Sequence, residues 1–112
     1  MNLEGHLRAL AELKETRRKL DPVADLRTYV ETGHGIAIHA VAAGALRRYG
    51  VDLDRHQGMV RWLRERGHPD VADAFEAIER TRTARWYGGQ GDGDAAHRLD
   101  QHLATLEAWA VA

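Results

Sequence analysis

The segment ERTRTARWYGG, residues 79–89, places basic and aromatic side chains close together. Guanidinium groups offer forked donors to phosphate oxygens, and aromatic rings stack on unpaired bases. The pattern therefore predicts a surface that binds phosphate groups or an RNA backbone. The candidate binding residues are Arg80, Arg82, Arg85, Trp86 and Tyr87, and the candidate catalytic residues are Arg82, Arg85 and His39.

The same arginines also have a structural interpretation. Cations in the last turn of a helix complement the helix dipole, and their aliphatic stems cover apolar neighbours. Arg82 falls on the inward line of its helix, where Asp25 or Glu31 can pair with it. The sequence favours this interpretation for the arginines. Within the segment 79–89, the Arg–Trp–Tyr part remains the best candidate for a functional surface.

The glycine-rich stretch GGQGDGD, residues 88–94, resembles a phosphate-binding loop only superficially. It lacks the Lys-Ser/Thr ending of a P-loop, no strand precedes it, and its carboxylates would repel an anion. We expect a connector in which Asp92 or Asp94 caps the following helix.

The histidines supply the remaining candidates for chemistry. His34 and His39 are five residues apart, as are His97 and His102, whereas two metal ligands on one helix prefer a spacing of four. His39 lies in the apolar run GIAIHAVAAGAL, where we expect a core histidine with one hydrogen bond. In a pocket with His34 it could perform acid–base work. A metal site assembled across helices from His39 and Glu31 is the alternative, but the sequence favours no metal and no cofactor.

Composition limits the protein class. The chain has 112 residues, 44% hydrophobic and 29% charged, which predicts one globular domain spanning residues 1–112. Its formal net charge is −1, from 16 basic and 17 acidic residues, so no overall positive field draws it to nucleic acid or to an anionic membrane. Cysteine is absent, which excludes disulfides and a thiol nucleophile.

The amino terminus, MNLEGHLRAL, lacks an apolar core of signal-peptide length. The longest apolar run has 12 residues, which is too short to span a bilayer. We therefore expect a soluble cytoplasmic protein with no membrane partner.

Apolar residues at spacings of three and four predict four longer helices and a short one. The sequence indicates an all-α fold, an antiparallel up-and-down four-helix bundle with one additional short helix. The predicted helices span roughly residues 3–20, 23–49, 54–66, 69–86 and 94–110, of which the third is the short one.

Glycine and proline mark several helix ends. Gly50 and Gly67 are expected where the second and third helices stop, and Pro69 at the first position of the fourth. Asp52 or Asp54 is the expected cap of the third helix. Three further glycines (Gly33, Gly35 and Gly44) lie inside the second helix and predict the close approach of a neighbouring backbone, or a kink near residues 33–35.

The stretch DLRTYVETGHGIAIHAVAAGALRRYGVDLDRHQGMVRWLRERG, residues 25–67, resembles HEPN-domain proteins (higher eukaryotes and prokaryotes nucleotide-binding). In that family a long second helix carries an Arg and an "HA" element, and a short third helix opens on H-x-G, here His56-Gln57-Gly58. The similarity continues through ERTRTARWYGG and the closing helix DAAHRLDQHLATLEAWA, and so covers roughly residues 5–110.

The resemblance implies a helical bundle that usually forms a homodimer. Members act as ribonucleases in toxin–antitoxin and defence systems, as partners of nucleotidyltransferases, or as non-catalytic scaffolds. Ribonuclease members carry an Arg followed four to six residues later by a His, at the segment that here spans residues 80–94. This chain has no His there.

The missing His favours a non-catalytic interaction or binding module, whose partner would be an antitoxin or a nucleotidyltransferase, or RNA or a nucleotide. The enzyme alternative is a divergent ribonuclease in which Arg80, Arg82 or Arg85 works with His34, His39 or His97. A small inhibitor that binds a bacterial protein is a third hypothesis, permitted by the size of the chain.

Overall fold

A computed structural model describes residues 1–53, 55–83 and 94–112 of the chain. Every regular element in these ranges is an α-helix, as the apolar spacing predicts. The five helices are α1 (Leu3–Arg18), α2 (Leu26–Tyr49), α3 (Met59–Glu65), α4 (Pro69–Thr83) and α5 (Asp94–Val111). None of these described helices is both long enough and apolar enough to cross a bilayer.

Helix α2 is the centre of the structure because it packs against α1, α4 and α5. Its middle section is buried on nearly every side, in keeping with its small and apolar composition. Phe75 and Ile78 of α4 and Leu103 and Leu106 of α5 are the large side chains buried with it. Together they form one continuous core.

The contacts along α2 also show the direction of its neighbours. His6 lies beside His39, and Leu13 beside Gly35, so α1 runs opposite to α2. Helix α4 also runs opposite to α2. The α2–α4 contacts are Tyr49 with His68, just before α4, and Glu31 with Arg82, near the end of α4.

Helix α5 runs in the same direction as α2, and two of the predicted glycines explain their close approach. A Cβ added to Gly33 would lie 2.9 Å from Leu99, and one added to Gly44 would lie 2.2 Å from the Trp109 ring. The expected close approach of a backbone is wrong at both positions, because the nearby atoms belong to the side chains of Leu99 and Trp109. Helix α2 continues through all three glycines as one helix.

Several predicted helix ends are confirmed. Gly50 ends α2 with a left-handed backbone (φ 66°), and Pro69 is the first residue of α4. Gly67, with φ 82°, directly follows the last turn of α3. Asp94 is the first helical residue of α5 and not its N-cap, as the sequence suggested, and Asp92, the alternative cap, lies outside the described residues.

The predicted start of the third helix is wrong. The helix begins at Met59, not near residue 54, and its N-cap position is Gly58 with φ 88°. Asp52 does not cap it, because its carboxylate instead faces His6 across the preceding loop; Asp54 lies outside the described residues. Residues 51–53 and 55–58 therefore lie in the connection between α2 and α3, where His56 contacts His34 of α2.

Candidate functional site

The described part of the predicted binding segment is Arg80 to Thr83, at the end of α4. Arg80 is exposed and its Nη2 donates to Glu76 Oε1 at 2.7 Å. This is an ordinary pair between residues four apart on one helix. The other three candidates, Arg85, Trp86 and Tyr87, lie outside the described residues.

Arg82 joins α4 to α2. Its Nε donates to Glu31 Oε2 at 3.1 Å, which confirms one of the two acidic partners expected for it. The pair is partly exposed and not buried, with 38% of Arg82 and 50% of Glu31 accessible. Asp25, the other expected partner, accepts from the backbone N–H of Asp21 at 2.8 Å.

One helical turn after Glu31, His34 makes a second contact between α2 and α4. Its Nε2 lies 3.1 Å from Glu79 Oε2, and only 6% of its side chain is exposed. Burial lowers the pKa of His34, and the charge of Arg82 lowers it further, while Glu79 acts in the opposite direction. His34 is therefore held mainly neutral at pH 7 beside an acidic partner.

His39 lies further along α2 and faces α1. Its Nδ1 is 2.9 Å from His6 Nδ1, and no other hydrogen bond joins it to the described residues. The prediction of a histidine with a single hydrogen bond is correct, but the residue is partly exposed and not fully in the core. Burial lowers the pKa of His39, with a further contribution from His6.

These groups adjoin a cleft of about 340 Å³ between the amino end of α1, the middle of α2 and the loop before α3. We call it the histidine cleft. Its lining combines three imidazoles and other polar groups with apolar side chains, and ligand sites likewise combine apolar side chains with a few polar groups. Its lining residues are Met1, His6, Ile38, His39, Asp52, Leu53, Arg55, His56, Gln57 and Met59.

His34 stands directly behind the cleft wall. Its ring meets the His56 ring edge-on, with 5.5 Å between the centroids. The sequence raised acid–base chemistry for the case in which His34 and His39 share a pocket. The structure places His39 in the cleft, but His34 is not among its lining residues, so the two histidines do not share this pocket. The third candidate histidine, His97, is exposed on α5.

The structure adds His6, Asp52 and His56 to the candidate site. His6 carried a detectable signal, because it lies three residues after Leu3 and four before Leu10, on the apolar face of α1. Asp52 carried none, since only the return of the loop places it near α1. Among the described residues, no group of three histidines and carboxylates is arranged to hold a metal ion.

A different cluster lies at the carboxyl end of α2, and we call it the aromatic end. Tyr49 lies edge-on to Trp62 at 5.4 Å, and its hydroxyl bonds His68 Nε2 at 2.6 Å. His68 in turn meets the ring of Trp109 at 5.3 Å. Arg66 stacks over Trp62 and Tyr49, 5.3 and 5.7 Å from their centroids.

Two arginines at the aromatic end bond backbone carbonyls in the last turn of helix α5. Arg47 donates to the backbone carbonyl of Ala110, and Arg48 donates to that of Trp109 at 2.9 Å. These carbonyls lie in the last turn of α5, where no helical N–H reaches them. The aromatic end is thus a cap that joins the ends of α2 and α5.

Arg80 and Arg82, the described candidates of the predicted segment, are therefore both in ion pairs. Three of the seven histidines, His6, His39 and His56, line the histidine cleft. We compared the chain with protein-family models, with curated proteins and with solved structures. None of the three comparisons found a match.

Proposed function

We propose that the chain is a non-catalytic, HEPN-like interaction module of a toxin–antitoxin, defence or nucleotidyltransferase-partner system. In this proposal its four longer helices form an antiparallel up-and-down bundle, with α3 as the additional short helix. The alternating directions of α1, α2, α4 and α5 support that topology. The sequence resemblance supports the family.

The observation that carries the proposal is the bonding of an arginine and a histidine, the two groups that a nuclease of this type would need. Arg82 is bonded to Glu31, and His34 is bonded to Glu79. A nuclease needs a cation that contacts the scissile phosphate and a histidine that exchanges a proton with the substrate. Here both groups have carboxylate partners within the chain, which supports a structural role for them.

The proposed contact surface is the segment 80–87 with the adjoining face of α4. Arg80 is exposed there, and Arg residues are common at interfaces with proteins and with phosphate groups. We infer a homodimer or a complex with an antitoxin or nucleotidyltransferase as the assembly, with RNA or a nucleotide as the alternative ligand.

One observation favours the ribonuclease alternative. Arg82 is near enough to His34 for its charge to lower the pKa of the imidazole, so a basic residue and a histidine share one site between α2 and α4. If Glu31 and Glu79 released them, Arg82 would bind a phosphate and His34 would move a proton.

An RNA cleavage assay separates the two functions. The purified protein, Arg82→Ala and His34→Ala are incubated with total RNA and with a labelled single strand. Arg61→Ala is the matched control, because Arg61 is 86% exposed and pairs only with Glu65 on its own helix.

We expect no cleavage by any of the four proteins, and a dimer by light scattering. Cleavage by the wild type and by Arg61→Ala that both other variants lose would overturn the non-catalytic proposal. A monomer that neither cleaves nor binds RNA would remove support from both functions.

A further inference from the structure

Three side chains from separate parts of the chain form a line into the histidine cleft. Asp52 Oδ1 lies 3.8 Å from His6 Nε2, and His6 Nδ1 lies 2.9 Å from His39 Nδ1. His6 is almost completely enclosed, with 7% of its side chain exposed, whereas Asp52 is 47% exposed. This line belongs to neither the segment 80–87 nor the contacts of Arg82.

The short contact between the two imidazoles requires that one Nδ1 carries a proton and donates a hydrogen bond to the other Nδ1. A neutral imidazole carries one N–H and one lone pair, so one Nδ1 must donate and the other accept. Two protonated rings would place two N–H groups against each other at 2.9 Å. The remaining question is which ring donates, and Asp52 answers it.

His6 Nε2 is buried and has no hydrogen-bond partner among the described residues. The Asp52 carboxylate lies 3.8 Å from it, and the other oxygen of this carboxylate lies 3.6 Å from the amino-terminal ammonium group of Met1. An N–H at Nε2 would point its positive end at this carboxylate, whereas a lone pair would point negative charge at it. The carboxylate therefore favours the tautomer of His6 that is protonated on Nε2, which leaves its Nδ1 as an acceptor.

With His6 as the acceptor, His39 must donate from Nδ1. We propose that Asp52 and His6 fix the tautomer of His39, so that its unprotonated Nε2 faces the histidine cleft as a hydrogen-bond acceptor and base. This nitrogen has no partner among the described residues and is not among their buried unpaired atoms. The pKa of His39 is lowered mainly by burial, which keeps Nε2 unprotonated at pH 7.

The cleft around this nitrogen indicates the class of ligand. A base at Nε2 calls for an O–H or N–H on the ligand, and the exposed guanidinium of Arg55 calls for an anionic group. Ile38 and Met59 line the same cleft and suit an apolar body. At about 340 Å³, the cleft is at the small end of the range for ligand pockets. We therefore assign it a small organic anion that also carries a hydrogen-bond donor.

Nuclear magnetic resonance tests the tautomers directly. In protein labelled with ¹⁵N, two-bond correlations from the ring protons distinguish a protonated imidazole nitrogen from an unprotonated one. At pH 7.5 we expect His39 to be protonated on Nδ1 and His6 on Nε2. A His39 ring protonated on Nε2 in the wild type would overturn the proposal.

Two variants test the cause. In Asp52→Ala we expect His39 to become a mixture of tautomers, because the group that orients His6 is gone. Asp73→Ala is the matched control, since Asp73 pairs with Arg64 on another face of the structure. An unchanged His39 spectrum in Asp52→Ala would show that Asp52 does not fix the tautomer.

The ligand class is tested with 4-hydroxybenzoate and benzoate, which differ only in the phenolic O–H. We expect 4-hydroxybenzoate to shift the ring signals of His56, another residue of the cleft, at lower concentration than benzoate, and His39→Gln to remove that difference. Equal shifts, or none with either acid, would overturn the assigned ligand class. Because neither compound contacts Arg82 in this proposal, the outcome is separate from that of the cleavage assay.

Discussion

The middle of α2 and its carboxyl end are built from different kinds of polar contact. At the aromatic end, Arg47 and Arg48 bond carbonyls of α5 that would otherwise lack partners. In the histidine cleft, His6 Nε2 is buried without a hydrogen bond, and His39 offers a nitrogen that has no described partner. The aromatic end pairs backbone carbonyls that folding leaves open, although the indole N–H of Trp109 is also buried there without a partner among the described residues. The cleft differs because its unpaired nitrogens belong to imidazoles, which can accept as well as donate.

This difference separates a stabilising cluster from a candidate site, although both contain histidines and arginines. Buried polar groups are normally paired, and of the unpaired groups in these two regions only the imidazoles can take up or release a proton near neutral pH. Residue type alone would have ranked the aromatic end, with its tryptophans and arginines, above the cleft. Mutations should therefore affect stability most at the aromatic end and least at the exposed ion pairs.

The largest effect is expected for Trp109→Ala. Its ring packs on Gly44 and His68 and is 8% exposed, so the change should destabilise the fold by about 3–5 kcal/mol. Chemical denaturation followed by circular dichroism measures the difference. Val111→Ala is the control, because Val111 is 67% exposed. Equal effects of the two changes would contradict the structural role of the aromatic end.

Gly44→Ala should have the next largest effect. The new Cβ would lie 2.2 Å from the Trp109 ring, and such overpacking typically costs about 1–3 kcal/mol. Gly35→Ala is the matched control, since its Cβ would meet only the flexible end of Leu13 at 3.1 Å. Alanine also favours a helix over glycine. Denaturation midpoints should therefore fall for Gly44→Ala and stay level or rise for Gly35→Ala.

In the histidine cleft, a change of pH should affect the free energy of unfolding more than the loss of packing does. The pKa of His39 is lower in the folded protein than in the unfolded chain, so its contribution to stability is complete above a pH of about 6.5 and is lost as the pH falls. We expect acidification to decrease the free energy of unfolding less in His39→Gln than in the wild type. Urea denaturation at several pH values tests this, and parallel curves for the two proteins would refute it.

The smallest effect is expected for Glu31→Gln. The Arg82–Glu31 pair is about half exposed, and exposed ion pairs typically contribute about 0.2–1 kcal/mol. Raising the salt concentration should decrease the difference between this variant and the wild type. A loss of stability as large as that in Gly44→Ala would mean that the predicted segment is a structural element.

The elements of the fold are largely predictable from local patterns. Apolar spacing predicts the five helices. Gly50 marks the end of α2, where the backbone is left-handed, and Pro69 marks the start of α4, where a missing N–H is tolerated. The predicted start of α3 is wrong because an Asp that could cap a helix does not determine the path of the loop before that helix. Only the tertiary arrangement of the connection before α3 brings Asp52 to His6.

The candidate site was only partly predictable for the same reason. The sequence marks His39 and Arg82 individually, and the Glu31 partner follows from the inward line of α4. The His6–His39 contact joins residues on two helices, and its distance depends on how α1 sits on α2. The hypothesis that the described arginines bind an external anion must now account for their carboxylate partners within the chain.

The parallel packing of α5 on α2 also has a consequence for folding kinetics. Gly33 contacts Leu99 and Gly44 contacts Trp109, so this helix contact forms only when distant parts of the chain have come together. Helices α1 and α2 are neighbours in sequence and can pair early, since their loop costs little entropy to close. We therefore expect changes at Gly44 to speed unfolding far more than they slow refolding.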